Sequence, residues 1–154
     1  MQDRRRSSDK EELGIEIVAR YNERFASRLA EIDALQADPP FRLERYAALY
    51  REGLVHGEAC LCGMLAAECA AVPASVTAGV ATFFTTNQAW LADLVEAGQR
   101  SGDFHLRQPP RDAAAAVLAA LEGAVILARG LGDITAFDQA ATAATALLAA
   151  ERRP

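Results

Sequence analysis

The sequence predicts an all-helical fold, and three observations lead to that prediction. Apolar residues make up 51% of the 154 residues, and alanine, the best helix former, is the commonest of them. In most segments the apolar residues recur at three- and four-residue steps, which is the helical spacing. No segment shows a sustained alternation of apolar and polar residues, so no sheet is expected. Proline, glycine and short polar breaks divide the chain into six predicted helices.

The first two predicted helices are long and amphipathic. The first opens at Ser8, which has the capping-box spacing to Glu11, and it ends at Asp38-Pro39-Pro40. Its apolar stripe is Leu13, Ile17, Tyr21, Phe25, Leu29 and Ile32. The second helix is predicted from about Arg42 to Leu54, with one apolar side formed by Leu43, Tyr46, Ala47 and Tyr50.

The other four helices follow after a glycine-bracketed loop. The third, from about Cys60 to Ala71, is apolar nearly all round and is therefore expected to be deeply buried. Pro73 is placed as a first-turn proline of the fourth, which ends near Arg100. Its predicted stripe is Val76, Val80, Phe83, Phe84, Leu91, Leu94 and Val95. The fifth opens at Pro110 with the stripe Val117, Leu118, Leu121, Val125 and Ile126, and the sixth is predicted over 134–150.

Composition and motifs exclude several function classes. The net charge of −5 argues against direct nucleic-acid binding, because phosphate contacts need a basic surface. The N-terminal arginines are followed by no apolar signal segment, and no apolar run approaches the roughly 20 residues of a membrane helix. We therefore expect a cytoplasmic protein without membrane contact. No nucleophile elbow, glycine-rich phosphate loop or zinc-binding H-E-x-x-H motif occurs, so neither an enzyme nor a cofactor is expected.

Several segments together resemble a known family. The segment 8–14 (SDKEELG) and the following 18–25 (VARYNERF) resemble the helix after the helix-turn-helix of tetracycline-repressor (TetR) family regulators. The segment 60–68 (CLCGMLAAE) is similar to a stretch common in one large branch of that family. Phe83-Phe84, Trp90-Leu91 and 96–104 (EAGQRSGDF) resemble the next helix and its end. The resemblance covers residues 8–150.

The resemblance implies a six-helix TetR-like C-terminal regulatory domain. Its helices would enclose an apolar pocket, and the last two would pair with those of a second copy as a four-helix dimer interface. The expected layout is a disordered or remnant segment 1–7, a ligand-binding and dimerisation domain 8–150, and a frayed tail 151–154. Since too few residues precede Ser8 for a helix-turn-helix, DNA binding is assigned to a head outside this chain. A small apolar or amphipathic effector would then bias the first helix and release DNA.

Large or polar residues on the predicted inward faces are the candidates for the pocket. Asn87 is a polar residue on an apolar stripe, and a buried amide needs a partner, which is either a ligand or a neighbouring backbone group. Trp90 follows one turn later, and Tyr46 and Tyr50 share a face of the second helix; ordinary core packing is the alternative for each. The predicted lining is Tyr46, Tyr50, Met64, Phe84, Asn87, Trp90 and Ile126.

Two carboxylates and three cysteines leave alternatives open. Glu68 is expected to have a structural role, and Glu122 to pair with an arginine such as Arg129, across an interface or within the chain, rather than with a ligand. Three clustered cysteines are most simply small core residues, although a thiol-based redox sensor stays possible and metal binding with His56 is a weaker idea. The remaining alternative is a headless module that forms heterodimers with a full-length relative. The cysteines are Cys60, Cys62 and Cys69.

Overall fold

The computed structural model describes the backbone of residues 2–149 and the side chains of residues 9–148. Six α-helices and one short 3-10 turn account for the secondary structure of this range, and it contains no strand, which confirms the predicted all-α class. The helices are α1 (Gln2–Ala34), α2 (Pro39–Val55), α3 (Leu61–Ala67), α4 (Ala74–Ser101), α5 (Pro110–Leu131) and α6 (Ile134–Ala149), with the 3-10 turn at Cys69–Ala71. The predicted tail 151–154 lies outside the described residues.

Helix α1 is longer than predicted, and its predicted stripe is confirmed at Leu29 and Ile32 but not near its start. It begins at Gln2 rather than Ser8 and has 33 residues, a length of about 50 Å. Val18 is buried, whereas the predicted stripe residues Leu13 and Ile17 are 58% and 46% exposed. The cause is close contact with α4: a Cβ on Gly79 would lie only 2.7 Å from the Val18 side chain. The fit of a valine into a glycine gap outweighs the burial of bulkier neighbours.

Helix α2 starts earlier than predicted because the Asp38-Pro39-Pro40 sequence begins it instead of ending α1. The Asp38 side chain accepts a hydrogen bond from the Phe41 N–H at 2.8 Å, and both prolines occupy the first turn, where no backbone donor is needed. Helix α1 ends before this point, at Ala34. The predicted buried side is confirmed and consists of Leu43, Tyr46, Ala47 and Tyr50.

The third segment contradicts the prediction of deep burial. Helix α3 has seven residues, of which Cys62 alone is buried, and Met64 is 41% exposed. Cys69, in the 3-10 turn that follows, is also exposed. This short helix lies against α4 and α1 on one side and leaves its other side in solvent. Because its residues are small and apolar on every side, the sequence did not indicate which side is buried.

Helices α4, α5 and α6 complete the core. Helix α4 packs against α1, α2, α3 and α5. It ends at Gly102, which adopts a left-handed conformation with a φ of 82°. Helices α5 and α6 form an antiparallel pair joined at Gly132, where φ is 65°. Glycine tolerates this conformation because it has no Cβ.

The outer side of the α5–α6 pair is apolar and exposed. We define the α5–α6 face as Ala116, Ala119, Gly123, Ile126, Leu127 and Gly130 of α5 with Ala143, Ala146 and Leu147 of α6. Helix α5 is also long and apolar enough to cross a membrane by length and composition, which the sequence analysis did not expect, although a core helix passes the same test. Both properties follow from the second apolar stripe that α5 carries on its outer side.

Candidate ligand-binding site

A cavity of about 510 Å³ lies between α1, α2 and the loop that leads into α3. Three aromatic side chains, those of Tyr21, Phe25 and Tyr50, contribute to its walls, and charged side chains stand around its mouth. A volume of several hundred Å³ with apolar walls and a few polar groups is typical of small-molecule sites. The lining residues are Tyr21, Arg24, Phe25, Ser27, Arg28, Leu49, Tyr50, Glu52, Gly53, His56, Glu58, Ala59 and Cys60.

The aromatic wall continues into the protein core through Phe25. The ring centre of Phe25 lies 5.0 Å from that of Phe83 and 5.8 Å from that of Tyr50, both in edge-to-face arrangements. Tyr21 packs 5.5 Å from Phe83 on the same side. Edge-to-face aromatic pairs restrict ring orientation, so this wall is held in place from behind by α4.

A buried polar chain starts at the cavity wall and ends in α4. The Tyr46 hydroxyl donates to Asn87 Oδ1 at 2.8 Å and lies 3.1 Å from the Tyr50 hydroxyl. Asn87 Nδ2 donates to the backbone oxygen of Phe83 at 2.9 Å. Burial raises the pKa of both tyrosines well above the ordinary value, so both hydroxyls keep their protons. The polar group of Tyr50 is thereby connected to the middle of α4.

Glu122 of α5 places a carboxyl behind this part of the wall. Its Oε1 atom is buried and has no hydrogen-bond partner among the described residues. On the α3 side, a Cβ on Gly63 would lie 2.3 Å from Glu122 Oε2, so the absence of a side chain at Gly63 makes the approach possible. Burial raises the pKa of Glu122, while Cys60 and Tyr50 favour its charged form and partly offset the burial.

Outside the main cavity, Trp90 in the middle of α4 joins the end of α1 to the start of α2. Its ring stacks on Tyr46 with centres 5.3 Å apart, and its Nε1 donates to both carboxylate oxygens of Asp33 at 3.1 Å. Arg42 pairs with the same Asp33 carboxylate and lies over the Trp90 ring, 5.6 Å from its centre. This cluster fixes the end of α1 against α2 and α4.

Comparison with known families gives the chain its classification. The sequence profile of the family described as tetracyclin repressor-like, C-terminal domain matches residues 42–144, which is more than half of the chain. The chain belongs to this family. Members of the TetR family are transcriptional regulators, generally homodimeric and generally not enzymes. The resemblance noted in the sequence is confirmed. No curated protein sequence matches the chain.

Solved structures of TetR-family regulators have the same fold. A regulator from Agrobacterium tumefaciens superposes with a TM-score of 0.87 at 25% identity, over 92% of this chain and 75% of that one. A regulatory protein from Rhodobacter sphaeroides gives 0.83 at 22% identity, over 90% and 75%. E. coli NemR in its reduced form gives 0.80 at 19% identity, over 94% and 76%.

The structure distributes the seven predicted pocket residues of this TetR-family domain over different environments. Tyr50 lines the main cavity, and Asn87 lines a smaller one of about 220 Å³ between α1 and α4. Tyr46 and Trp90 stand behind the wall, and Phe84 is half-buried against the core. Whether these residues bind a ligand stays a prediction.

Two of the seven residues do not face inward as expected. Met64 is 41% exposed on the outer side of α3, and Ile126 is 55% exposed in the α5–α6 face. The predicted stripe of α5 wrongly included Ile126, because Val125 occupies the inward position four residues after Leu121. The predicted pairing of Glu122 with Arg129 does not form within the chain: Arg129 is exposed, and seven residues separate the two by about 10 Å along the helix. A pairing across an interface stays a prediction.

Most of the cavity lining was missed by the sequence analysis. Tyr21 and Phe25 were assigned to a core stripe, and Arg24 and Arg28, on the same side of α1, were not considered. A usable signal existed: two aromatic residues and two arginines alternate at helical spacing between Tyr21 and Arg28, which is unusual for a stripe that only packs against a core.

The three cysteines are free and differ in environment. Cys60 caps α3 by accepting from the Gly63 N–H at 3.4 Å, and the Cys62 thiol points to Asn22 Oδ1 at 3.9 Å. Burial raises the pKa of both thiols, that of Cys62 to about 12. Cys69 is exposed. The buried pair is therefore protonated at neutral pH and poorly reactive.

Proposed function

We propose that this chain is the effector-sensing and dimerisation domain of a TetR-family transcriptional regulator, working in the cytoplasm. The observation that carries the proposal is the cavity of about 510 Å³ with aromatic walls between α1 and α2. A concave site of this size that combines apolar walls with a few polar groups is the usual form of a small-molecule site. A small amphipathic molecule fits the combination of aromatic walls and a charged mouth.

The position of the cavity supports a coupling of ligand binding to DNA release. Helix α1 supplies five of the lining residues and extends well beyond them toward Gln2. A ligand that favours one orientation of α1 would shift the balance between two orientations of anything attached to its N-terminal end. In regulators of this family the attached part reads DNA, so we infer that effector binding releases the operator.

A second connection runs from the cavity helix α2 to the outer pair of helices. Arg51 of α2 forms a two-point ion pair with Asp138 of α6, at 2.7 Å and 3.1 Å. Both residues are exposed, so this pair adds little stability by itself. It does tie a helix of the cavity to the helices that we expect to form the dimer.

A thermal-shift screen of amphipathic small molecules tests the proposal. A true effector raises the melting temperature by mass action, by about 2.7 kcal/mol of stability at a hundredfold excess over its dissociation constant. Ala59 lines the cavity, so Ala59→Phe should fill it and abolish the shift. The matched control is Ala67→Phe, on the exposed side of α3. Ligands that shift wild type and Ala59→Phe equally would rule the cavity out as their site.

The heterodimer module is a second candidate, favoured by the exposed α5–α6 face. It predicts no ligand for the cavity and a preference for a different family member over a second copy. Size-exclusion chromatography of co-expressed chains separates it from the effector-sensing domain. The thiol-sensor alternative is not favoured, because the two buried thiols have raised pKa values.

A further inference from the structure

Glu122 is a half-buried residue with one buried carboxyl oxygen that the fold leaves unsatisfied. This Oε1 atom has no hydrogen-bond partner among the described residues, and an unpaired buried polar atom lowers the stability of the fold. The neighbouring inward positions of α5 are Leu118, Leu121 and Val125, all buried. A leucine at position 122 would bring no unpaired polar atom to this side of α5. A buried polar group that destabilises its own fold calls for a functional explanation.

The surroundings of Glu122 leave one side for a partner. On the α3 side the contact with Gly63 is so close that no additional atom fits. Hydrogen bonding from the Cys60 and Tyr50 side chains lowers the pKa of the carboxyl and so partly offsets its burial, and both of these residues also line the main cavity. The carboxyl therefore stands directly behind the Tyr50–Cys60 part of the wall. A ligand group that separates these two side chains would reach the carboxyl from the cavity.

The chemistry of the cavity indicates which group that is. A carboxylate oxygen without a donor is best satisfied by a charged N–H, since charge-assisted hydrogen bonds are about twice as strong as neutral ones. The rings of Tyr21, Phe25 and Tyr50 in the wall offer faces that attract cations. The lining Arg28 is already paired, with Glu52 at 2.8 Å and with Glu31 at 3.3 Å.

We propose that the cavity binds amphipathic molecules with a protonated amine or related cationic nitrogen, and that Glu122 anchors this nitrogen. The inference rests on the proposed function, because it assumes that the cavity is an effector site. It goes further by naming the ligand class and a polar anchor that does not itself line the empty cavity. Glu122 belongs to α5, so the anchored ligand also contacts the helix whose outer side forms part of the α5–α6 face.

Three probes with one aromatic body and different heads test the proposal. We would titrate the full chain by calorimetry with 2-(1-naphthyl)ethylamine, the corresponding alcohol and 1-naphthylacetate. The amine should bind about tenfold more tightly than the alcohol, the factor that one charge-assisted hydrogen bond supplies. Glu122→Gln should remove that advantage and leave the affinity for the alcohol unchanged. The matched control is Glu44→Gln, an exposed position of α2 outside the cavity.

The outcomes separate the two proposals. If no probe binds, the effector site and its anchor both fail. Equal binding of the amine and the alcohol, unaffected by Glu122→Gln, would overturn the anchor alone. Tightest binding of the acid, lost in Arg24→Ala, would also overturn it, since the Arg24 guanidinium over the Tyr21 ring would then be the anchor for an anion. A melting curve of Glu122→Gln, with Glu122→Leu as a second variant, shows that the fold is intact in each comparison.

Discussion

The carboxyl of Glu122 should make stability depend on pH in a defined direction. Burial raises its pKa, so the folded state holds the proton more tightly than the unfolded chain. Stability is therefore lost as the pH rises from the unfolded value of about 4.3 through the raised folded pKa. Glu122→Gln has no such loss, and its advantage over wild type in urea unfolding should grow between pH 4 and pH 7. A difference that stays constant with pH would contradict this.

The same variant then has opposite effects on stability and on ligand binding. Glu122→Gln should be more stable at neutral pH and bind the cationic probe less tightly. Sites that hold unsatisfied groups for a ligand commonly show this trade-off. A loss of amine binding in a chain that has become more stable cannot be attributed to unfolding.

The cysteines differ enough in environment for a direct chemical test. The thiolate is the reactive form, and burial raises the pKa of Cys60 and Cys62, the latter to about 12. With iodoacetamide at pH 8 and peptide mapping by mass spectrometry, Cys69 should be modified first, with the buried pair following only slowly. Cys69→Ser should leave the native chain nearly unlabelled. Rapid labelling of Cys60 in the folded protein would revive the thiol-sensor alternative.

Residue burial on α2 was predictable, but residue partners were not. Apolar spacing alone identified the inward side that carries Tyr46 and Tyr50. The same reasoning left Asn87 with two possible partners, and the structure supplies a tyrosine hydroxyl 41 positions away as well as a backbone oxygen. Helical periodicity contains no information about contacts over such a separation. The sequence therefore indicated a buried polar residue behind the cavity, but it did not predict the hydrogen-bond partners of that residue.

At the scale of elements, caps were a better guide than apolar stripes. The starts and ends of α4 and α5 follow proline and glycine and were placed correctly. The predicted stripe of α1 was right at Leu29 and Ile32 but wrong at Leu13 and Ile17, because the contact there depends on Gly79 of another helix, against which Val18 fits. A stripe read from one helix assumes that large residues turn inward. A gap created by a glycine on the neighbouring helix reverses that assumption.

The end of α4 offers a sharp test of such a gap. A Cβ on Gly98 would lie 2.1 Å from the Phe104 ring, and the backbone N–H groups of Asp103 and Phe104 both donate to the Gly98 oxygen, which fixes the backbone that carries this ring. Gly98→Ala should therefore lower the free energy of unfolding by about 1–3 kcal/mol through overpacking. Chemical denaturation measures the difference.

A double-mutant cycle supplies the control for this overpacking. In a Phe104→Ala background the clash is gone, and Gly98→Ala should then stabilise the helix by about 0.5–1 kcal/mol through its lower backbone entropy. If the cost of Gly98→Ala were the same in both backgrounds, the ring would not be its cause.

At the scale of the whole molecule, the fold class and the family were predictable while the cavity was not. Composition, periodicity and the order of segments over 8–150 predicted the six-helix architecture that the structure has. The cavity is bounded by α1, by α2 and by a loop before α3, and its position depends on how far these three stand apart. That spacing is set by side chains between helices, which no single segment reveals.

The outer apolar surface leads to the prediction about assembly. The α5–α6 face combines small residues, which allow close helix approach, with Leu127 and Leu147 at 49% and 72% exposure. A second copy that covers this face would bury at least the roughly 1,000 Å² typical of a specific interface. We expect a homodimer at micromolar concentration in sedimentation velocity.

A charge in the middle of this face should separate the copies. Leu127→Glu would force an unpaired carboxylate into an apolar interface, at a cost of several kcal/mol, and the variant should sediment as a monomer. Leu35→Glu is the matched control, because Leu35 is similarly exposed, at 53%, but lies at the far end of α1; it should stay dimeric. The cavity is formed within one chain, so monomeric Leu127→Glu should still bind the cationic probe. A wild-type chain that sediments as a monomer would show that no surface joins two copies. A Leu127→Glu variant that remains a dimer would show that a surface other than the α5–α6 face joins them.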